Sequence, residues 1–380
     1  MRSFVMILLI CGLICSAGRV EPLHAQALDN GRNAIEGRIV HAESGEPLRS
    51  VHVFLSGTTI GTVTNESGRF RIGRVPSGAH RLTVSIIGFK RVTDNLMVRA
   101  GETRTVYVKL KPIVYEMDPL FVGNLDDEWQ EDLERFERLF LGESPLADSV
   151  EILNPEVLRF EKNWWGRFTA KALAPLEIEN HALGYHVTYF LDEFQHTGTR
   201  TRWDGEPLFR ELTPKDSLQA SRWKENRKEA FYGSLRHFLL TLIHDRLQEE
   251  GFILYRYPHN PTGFSARRRY REFRRRLITQ DEEDPVFKLN FFGRLEVRFT
   301  GAEEDEHYIR WLRTRNRAPA NSQISYLELN EQPITVDPDG EILETYGATR
   351  FGYFSYKRIA DITPRQYRPE DIDFEGQLSL

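Results

Sequence analysis

The sequence predicts an all-β sandwich over residues 35–112, followed across a linker at 113–126 by a larger α+β domain with antiparallel strands over 127–380. Three observations carry this reading. Between Ile35 and Pro112, short runs of alternating apolar and polar residues are separated by Gly, Pro, Asn and Ser clusters at roughly the 8–12-residue spacing of a sandwich. Beyond residue 126, apolar residues recur at helical spacing in two stretches. After Val286 the alternation returns, broken by turn chemistry. At 380 residues, 40% hydrophobic and 12% aromatic, the chain has material for more than one core.

The first element is Met1-Arg2 followed by an apolar run from Phe4 to Ile14 and a small-x-small site at Ala25-Gln26-Ala27, which reads as a secretory signal peptide over residues 1–27. The run is shorter than the ~20 residues a membrane span needs, so the expectation is an exported chain with no transmembrane span after cleavage, in the periplasm, outer-membrane-associated or extracellular. Both cysteines, Cys11 and Cys15, lie inside this signal, and Ile10 and Ile14 stand before them where a lipoprotein site takes a small residue. The mature chain is therefore expected to have no disulfide, no cysteine metal site and no thiol chemistry. Fifty-one basic against fifty-six acidic side chains give a net charge of -5, which excludes a bulk electrostatic pull toward nucleic acid.

Within the sandwich the strand runs are "IEGRIV", "SVHVFL", "GTVT", "RFRIGRV", "HRLTVSIIG", "NLMV" and "TVYVKL". Gly45, Gly68 and Gly78 are the expected positive-φ positions, with Pro47 and Pro76 fixing φ beside turns. "GTVTNESGRFRI" reads as a hairpin turning at Asn65 to Gly68, with Phe70 and Ile72 inward and Arg69 and Arg71 in water.

The G-x-I/V, G-x-P-L, V-x-V, G-T-x-T-x-x-x-G-x-F, P-x-G and I-G-F elements of "GRIVHAESGEPLRSVHVFLSGTTIGTVTNESGRFRIGRVPSGAHRLTVSIIGF" resemble the carboxypeptidase regulatory-like domain. The resemblance implies a transthyretin-like (prealbumin-like) Greek-key sandwich. In Bacteroidetes-type envelope proteins it is an accessory module, often at the front of outer-membrane receptors. A zinc carboxypeptidase partner needs three fixed protein ligands at an open metal site, and the sequence has no H-x-x-E and no H-E-x-x-H. A receptor barrel needs repeated ten-residue lipid-facing strands that the remainder lacks.

In the second region "DDEWQEDLERFERLFLG" predicts a helix on Trp129, Leu133, Phe136, Leu139 and Phe140, with Gly142 at its end. "RFTAKALAPLEIEN" and "LGYHVTYFLDEF" predict strands broken at Pro175 and Gly184. The longest helical stretch runs from Leu218 to Glu250, interrupted at Gly233, where close packing or a break between two helices is expected. "VFKLNFFGRLEVRFTG", "HYIRWLRT", "SQISYLELNEQPITVDPDGEIL" and "TRFGYFSYKRIAD" read as strand-rich, with a turn at Pro338-Asp339-Gly340. "PLEIENHALGYHVTYFLDEF", "GEPLFREL", "NRKEAFYGSLRHFL" and "GYFSYKRIADITPRQYRP" resemble the C-terminal portion of Bacteroidetes proteins named only for their regulatory-like N-terminal domain, a resemblance that implies no reaction.

No catalytic residue, cofactor or metal ligand is assigned from the sequence. Candidate ligand-site residues are Glu179, Asn180, Arg227, Tyr232 and His237, which together with Glu177 would also have to build the site of the alternative, a hydrolase. Ser234 and His237 lie one turn apart, but a mid-helix serine has its neighbouring N–H groups already used, so packing is expected over catalysis. His237 and His244 share a helix face without a third ligand, and His181 and His186 fall on opposite strand faces if one strand includes both, which argues against shared coordination. "ARRRYREFRRRLIT" carries seven arginines between Arg267 and Arg276; a solvated charged helix or hairpin, neutralised by Asp281–Asp284 and by "EEDE" at 303–306, is expected over an anion-binding surface. Asp337-x-Asp339-Gly340-Glu341 lacks the remaining ligands of a calcium loop and reads as a turn. Trp164, Trp165, Trp203, Trp223 and Trp311 read mainly as core, with a sugar-stacking floor as the alternative. The functional expectation is a non-catalytic binding or interaction protein of the cell envelope, with an envelope protein or a polysaccharide as partner.

Overall fold

The computed structural model describes residues 33–113, 127–257, 269–280, 286–313, 317–372 and 374. The signal at 1–27, most of the 113–126 linker, Arg267 and Asp281–Asp284 lie outside the described residues. Seven strands form the front unit: β1 Ala34–His41, β2 His52–Leu55, β3 Gly61–Val63, β4 Arg69–Gly73, β5 Gly78–Ser85, β6 Val92–Val98 and β7 Thr103–Leu110. They make two sheets, β4-β1-β7 and β3-β2-β5-β6, closed over Ile35, Ile39, Val53, Phe70, Ile72, Leu82 and Val84. All pairs are antiparallel except β1 with β7.

Gly45, Gly68 and Gly78 take φ of +72°, +69° and +135°, as their turn positions require. At Gly68 a Cβ would lie 2.4 Å from the carbonyl oxygen of Ile39, so the position has neither the dihedral nor the room for a side chain. Phe70 and Ile72 are buried and Arg69 and Arg71 exposed. One expectation is overturned: the strands either side of Asn65–Gly68 do not pair. β3 hydrogen-bonds to β2 and β4 to β1, so the turn is the corner at which the chain changes sheets. The Asn65 carboxamide Oδ1 fixes that corner by accepting the Ser67 and Arg69 N–H groups.

The second region begins with α1 Asp127–Phe140, whose Leu133, Phe136 and Phe140 are buried against a six-stranded sheet. That sheet comprises β8 Val150–Ile152, β9 Leu158–Lys162, β10 Arg167–Ala172, β11 Leu176–Asn180, β12 Tyr185–Thr197 and β13 Arg200–Glu211. β12 is its spine: β11 and β10 pair with its two ends on one side and β13 runs along the other. Helices α2 Ser217–Phe231 and α3 Leu235–Ile243 follow, and a second buried cluster lies between α3 and two smaller sheets. These are built from β14 Phe252–Tyr257, β15 Tyr270–Arg271, β16 Ile278–Gln280, β17 Phe287–Leu289, β18 Arg294–Phe299, β19 Gln323–Leu329, β20 Ile334–Val336 and β21 Ala348–Gly352. Helices α4 Glu306–Trp311 and α5 Tyr353–Tyr356 complete the unit.

The long helical stretch is thus two helices, separated where Gly233 takes φ +67°. Ser234 is not mid-helix: it is the N-cap of α3, its side chain accepting the His237 N–H at 3.1 Å. "HYIRWLRT", read as a strand, is α4, because Asp305 caps it by accepting the Tyr308 N–H and Tyr308 and Ile309 bury on one face. "TRFGYFSY" is strand only to Gly352, where φ +67° turns it into α5. Among the described residues no helix is long and apolar enough to cross a membrane.

Candidate functional site

A cleft of about 430 Å³ opens where the end of α2, the segment before β14, the segment after β18 and the residues from α5 onward meet. Gly233 sets one wall: a Cβ there would lie 2.6 Å from Gln323 Oε1 and 2.9 Å from the Phe299 ring. Gly352 sets another, since its Cβ would fall 2.3 Å from the carbonyl oxygen of Ile324. Beyond it Tyr353 packs on Tyr308 with ring centroids 3.9 Å apart, and its hydroxyl accepts the Asp305 N–H at 2.9 Å.

Lys357 enters from below. Its ammonium donates to the carbonyls of Glu229, Ala230 and Tyr232 at 2.7, 3.2 and 2.7 Å, which caps the C-terminal end of α2 with a positive charge. Desolvation lowers its pKa, partly offset by Asp361, Glu229 and Asp305. Asp361 is buried and accepts from the Ser144 hydroxyl at 3.0 Å and the Arg358 N–H at 3.2 Å. Desolvation outweighs those bonds and the nearby Lys357, and its carboxyl is pushed up to about 6. Burial likewise raises Tyr353 and Tyr356, which stay neutral phenols.

His237 lies wholly buried behind Tyr232, the ring centroids 5.2 Å apart. The Gly233 N–H donates to its Nδ1 at 3.2 Å, which places the proton of the neutral ring on Nε2, facing Glu250 Oε2 at 3.5 Å. Desolvation holds its pKa below the usual histidine value. Five carboxylates line the cleft, from Glu229, Glu249, Glu250, Asp305 and Asp361, against the ammonium of Lys357 and the guanidinium of Arg246, which pairs with Glu249 at 2.8 Å and Glu250 at 3.3 Å. The cleft therefore presents a negative field to an occupant, with the Gln323 carboxamide oxygen buried and lacking a hydrogen-bond partner inside it.

Of the candidate site residues named from the sequence, only Tyr232 lines this cleft, with His237 buried directly behind it. Asn180 is buried and structural: its Nδ2 donates to the Ala360 carbonyl at 2.9 Å and its Oδ1 accepts the Leu183 N–H. Arg227 clamps the turn before β12, donating to the Leu183 carbonyl at 2.7 Å and lying over the Tyr185 ring, 4.1 Å from its centre. Glu177 and Glu179 stay on β11, where Glu177 accepts from His186 at 2.7 Å and Thr188 at 2.9 Å. The side chains named for a hydrolase are thus dispersed between two sites. His181 lies in the turn after β11, not on a strand, so the opposite-face argument fails: both His181 and His186 reach Glu179, at 3.4 and 3.7 Å. Among the described residues no group of three such side chains is placed to hold a metal ion.

From Arg269 onward, where the arginine run is described, it forms β15 and a single helical turn; Arg269 pairs with Glu296 at 2.7 Å and Arg274 donates to the carbonyls of Leu242 and Ile243, while the expected partners Asp281–Asp284 lie outside the described residues. Glu304 instead binds Arg317 at 2.7 Å, and Asp305 is occupied in capping α4. Asp337 Oδ1 accepts the N–H groups of Asp339 and Glu341, which makes that acidic stretch a turn. The cleft residues that sequence reasoning missed, Gln323, Asp305, Lys357 and Asp361, come from separate segments. Only the Lys357/Asp361 spacing within "KRIAD" gave a local signal.

Residues 35–122 match the CarboxypepD_reg-like domain family, a match that fits a non-catalytic binding protein. A comparison with curated proteins returned no match. Among solved structures, a type II cohesin–X-dockerin complex from Acetivibrio cellulolyticus is 17% identical, over 30% of this chain and 79% of that one, with a TM-score of 0.19. A structure titled a "putative carbohydrate binding protein" from Bacteroides uniformis is 12% identical, over 47% of this chain and 79% of that one, also with a TM-score of 0.19. Likenesses of this size carry no weight for function.

Proposed function

We propose that this chain is an exported, non-catalytic binding protein of the cell envelope, in which the regulatory-like sandwich is an accessory module and the acidic cleft takes a cationic segment of an envelope protein partner. Export is supported by the Met1-Arg2 start, the apolar run and the Ala25-Gln26-Ala27 site. The single observation that carries the ligand class is the charge of the cleft: five carboxylates stand against two cations, Lys357, already committed to three backbone carbonyls, and Arg246, already shared between Glu249 and Glu250. A lysine or arginine side chain entering this space gains Coulomb energy in a partly desolvated setting, and an anion loses it. Titration of trilysine and triglutamate against the mature protein tests this. Trilysine is expected to bind, roughly tenfold more weakly in the Glu229→Gln/Glu249→Gln double variant and more weakly again at high salt. Equal responses to the two peptides, or trilysine binding that ignores both salt and the double variant, would refute the reading.

A further inference from the structure

The hairpin joining β9 to β10 ends in Asn163-Trp164-Trp165-Gly166, a four-residue turn held from three sides. The Gly166 N–H donates to the Asn163 carbonyl at 3.0 Å, the Arg167 N–H donates to Asn163 Oδ1 at 2.9 Å, and the Asn163 N–H returns to the Arg167 carbonyl at 3.0 Å. Gly166 supplies the φ of +79° that closes it. On this rigid support the two indoles stack on each other, ring centroids 3.6 Å apart, and stay in water, with relative exposures of 83% for Trp164 and 68% for Trp165. Trp203, Trp223 and Trp311 pack into the protein, so these two stand apart. A fold that leaves two of its largest apolar side chains in solvent on a fixed turn forgoes burial that a short polar turn would not waste.

The stems of the same hairpin wall a second cleft of about 330 Å³. Its charges balance: Glu161, Asp192 and Glu193 against Lys162, Arg167 and Lys171. Lys162 is held by Glu128 and Asp132, and Lys171 by Glu161, which leaves the Arg167 guanidinium and the Asn163 amide as donors free among the described residues. A flat aromatic surface beside a charge-balanced cleft with planar donors suits a neutral polyhydroxylated chain, whose apolar ring faces stack and whose hydroxyls take the donors. A lipid surface would want apolar neighbours, and here the flanking residues are charged.

We infer that the Trp164–Trp165 turn and its adjoining cleft form a binding site for a neutral oligosaccharide, separate from the acidic cleft. The test is tryptophan fluorescence and calorimetry on the mature protein with cellohexaose, maltohexaose and mannohexaose, with oligogalacturonate and phosphatidylglycerol-containing vesicles as the other arms. At least one neutral hexasaccharide is expected to bind saturably. Trp164→Ala/Trp165→Ala should weaken it by about tenfold or more and Arg167→Ala by a few-fold, whereas Glu229→Gln/Glu249→Gln leaves it unchanged. The substituted side chains are exposed, and circular dichroism confirms that each variant folds. No response to any neutral hexasaccharide, a response that survives loss of both indoles, or binding confined to oligogalacturonate or to vesicles would overturn the inference.

Discussion

Gly184 is set so that no other residue fits. It has φ +71°, and a Cβ there would fall 2.2 Å from Cε3 of Trp223. The indole cannot retreat, because Trp223 Nε1 donates to the His181 carbonyl at 2.7 Å while Asn226 and Arg227 hold the carbonyls of Ala182 and Leu183. Gly184→Ala is therefore expected to cost about 2–4 kcal/mol, from a disfavoured dihedral and an overpacked contact together. Urea denaturation checks this, and a loss under about 1 kcal/mol would contradict it.

Asp361 makes a second prediction at this scale. Its folded pKa of about 6 lies above the ordinary 3.8, so between those values the folded chain keeps a proton that the unfolded chain has released. Stability drawn from this group is thus full below the ordinary value, falls as pH rises through that window, and changes no further above it. The neutral variant Asp361→Asn lacks the effect. Wild-type stability relative to the variant should drop by about 2–3 kcal/mol between roughly pH 4 and 7, read from urea unfolding at each pH. His80, His237 and His244, all shifted down chiefly by burial, act in the opposite sense and cancel in the comparison. A flat difference would show that the carboxylate is already well solvated by its hydrogen bonds.

Among elements, α3 is joined to the chain's last described segment by the packing of Leu240 on Ile372 and Phe374 and by the hydrogen bonds of Arg236. Arg236, buried, donates to the carbonyls of Asp339, Pro364, Arg365 and Tyr367 and to the Thr363 hydroxyl. Arg236→Ala leaves those acceptors without their donor, an expected loss of about 3–5 kcal/mol. Amide hydrogen exchange should quicken across residues 362–372, and unchanged protection there would refute the role.

This scale also separates what the sequence reveals from what it hides. Gly233 announced the break between α2 and α3, and Gly68 and Gly340 announced turns, because a positive φ is a local property that glycine advertises. Whether β3 and β4 pair across Asn65–Gly68 is not local: it depends on which sheet each strand joins, and they join different ones. Tyr232, which lines the cleft, and His237 behind it were legible together because they sit either side of one turn. Gln323, Asp305 and Lys357 reach the same cleft from segments far apart in the chain, so no window of sequence contains them together. In the sequence Trp164 and Trp165 read, with Trp203, Trp223 and Trp311, mainly as core, and their exposure is missed because which indoles are buried depends on packing that no local window shows.

Across the molecule, the sandwich is fastened to the body by backbone as well as side chains. Thr58 bridges Leu208 of β13 in parallel, with the Gly57 N–H donating to the Pro207 carbonyl at 2.7 Å and the Phe209 N–H to the Thr58 carbonyl at 2.9 Å. Phe54 stacks on Phe190 of β12, centroids 4.9 Å apart. The final segment joins in: the Arg365 N–H donates to the Gly57 carbonyl at 2.7 Å, and the Ala360 N–H to the Leu141 carbonyl at 3.0 Å, so one strap touches the sandwich and α1's end together. At the centre of the contact is Glu206, buried, raised by desolvation, bonded to Ser56 and 3.2 Å from Arg81. Glu206→Ala leaves Arg81 facing the interface without its partner, which removes coupling between sandwich and body by about 3–5 kcal/mol. Calorimetry of the wild type should show one cooperative transition, because neither unit opens without breaking this contact, whereas the variant should show the sandwich melting apart from the body. A single unshifted transition in the variant would mean that the contacts that remain, the backbone bridge at Thr58, the Arg365 strap and the Arg91–Asp192 ion pair, hold the two units without Glu206.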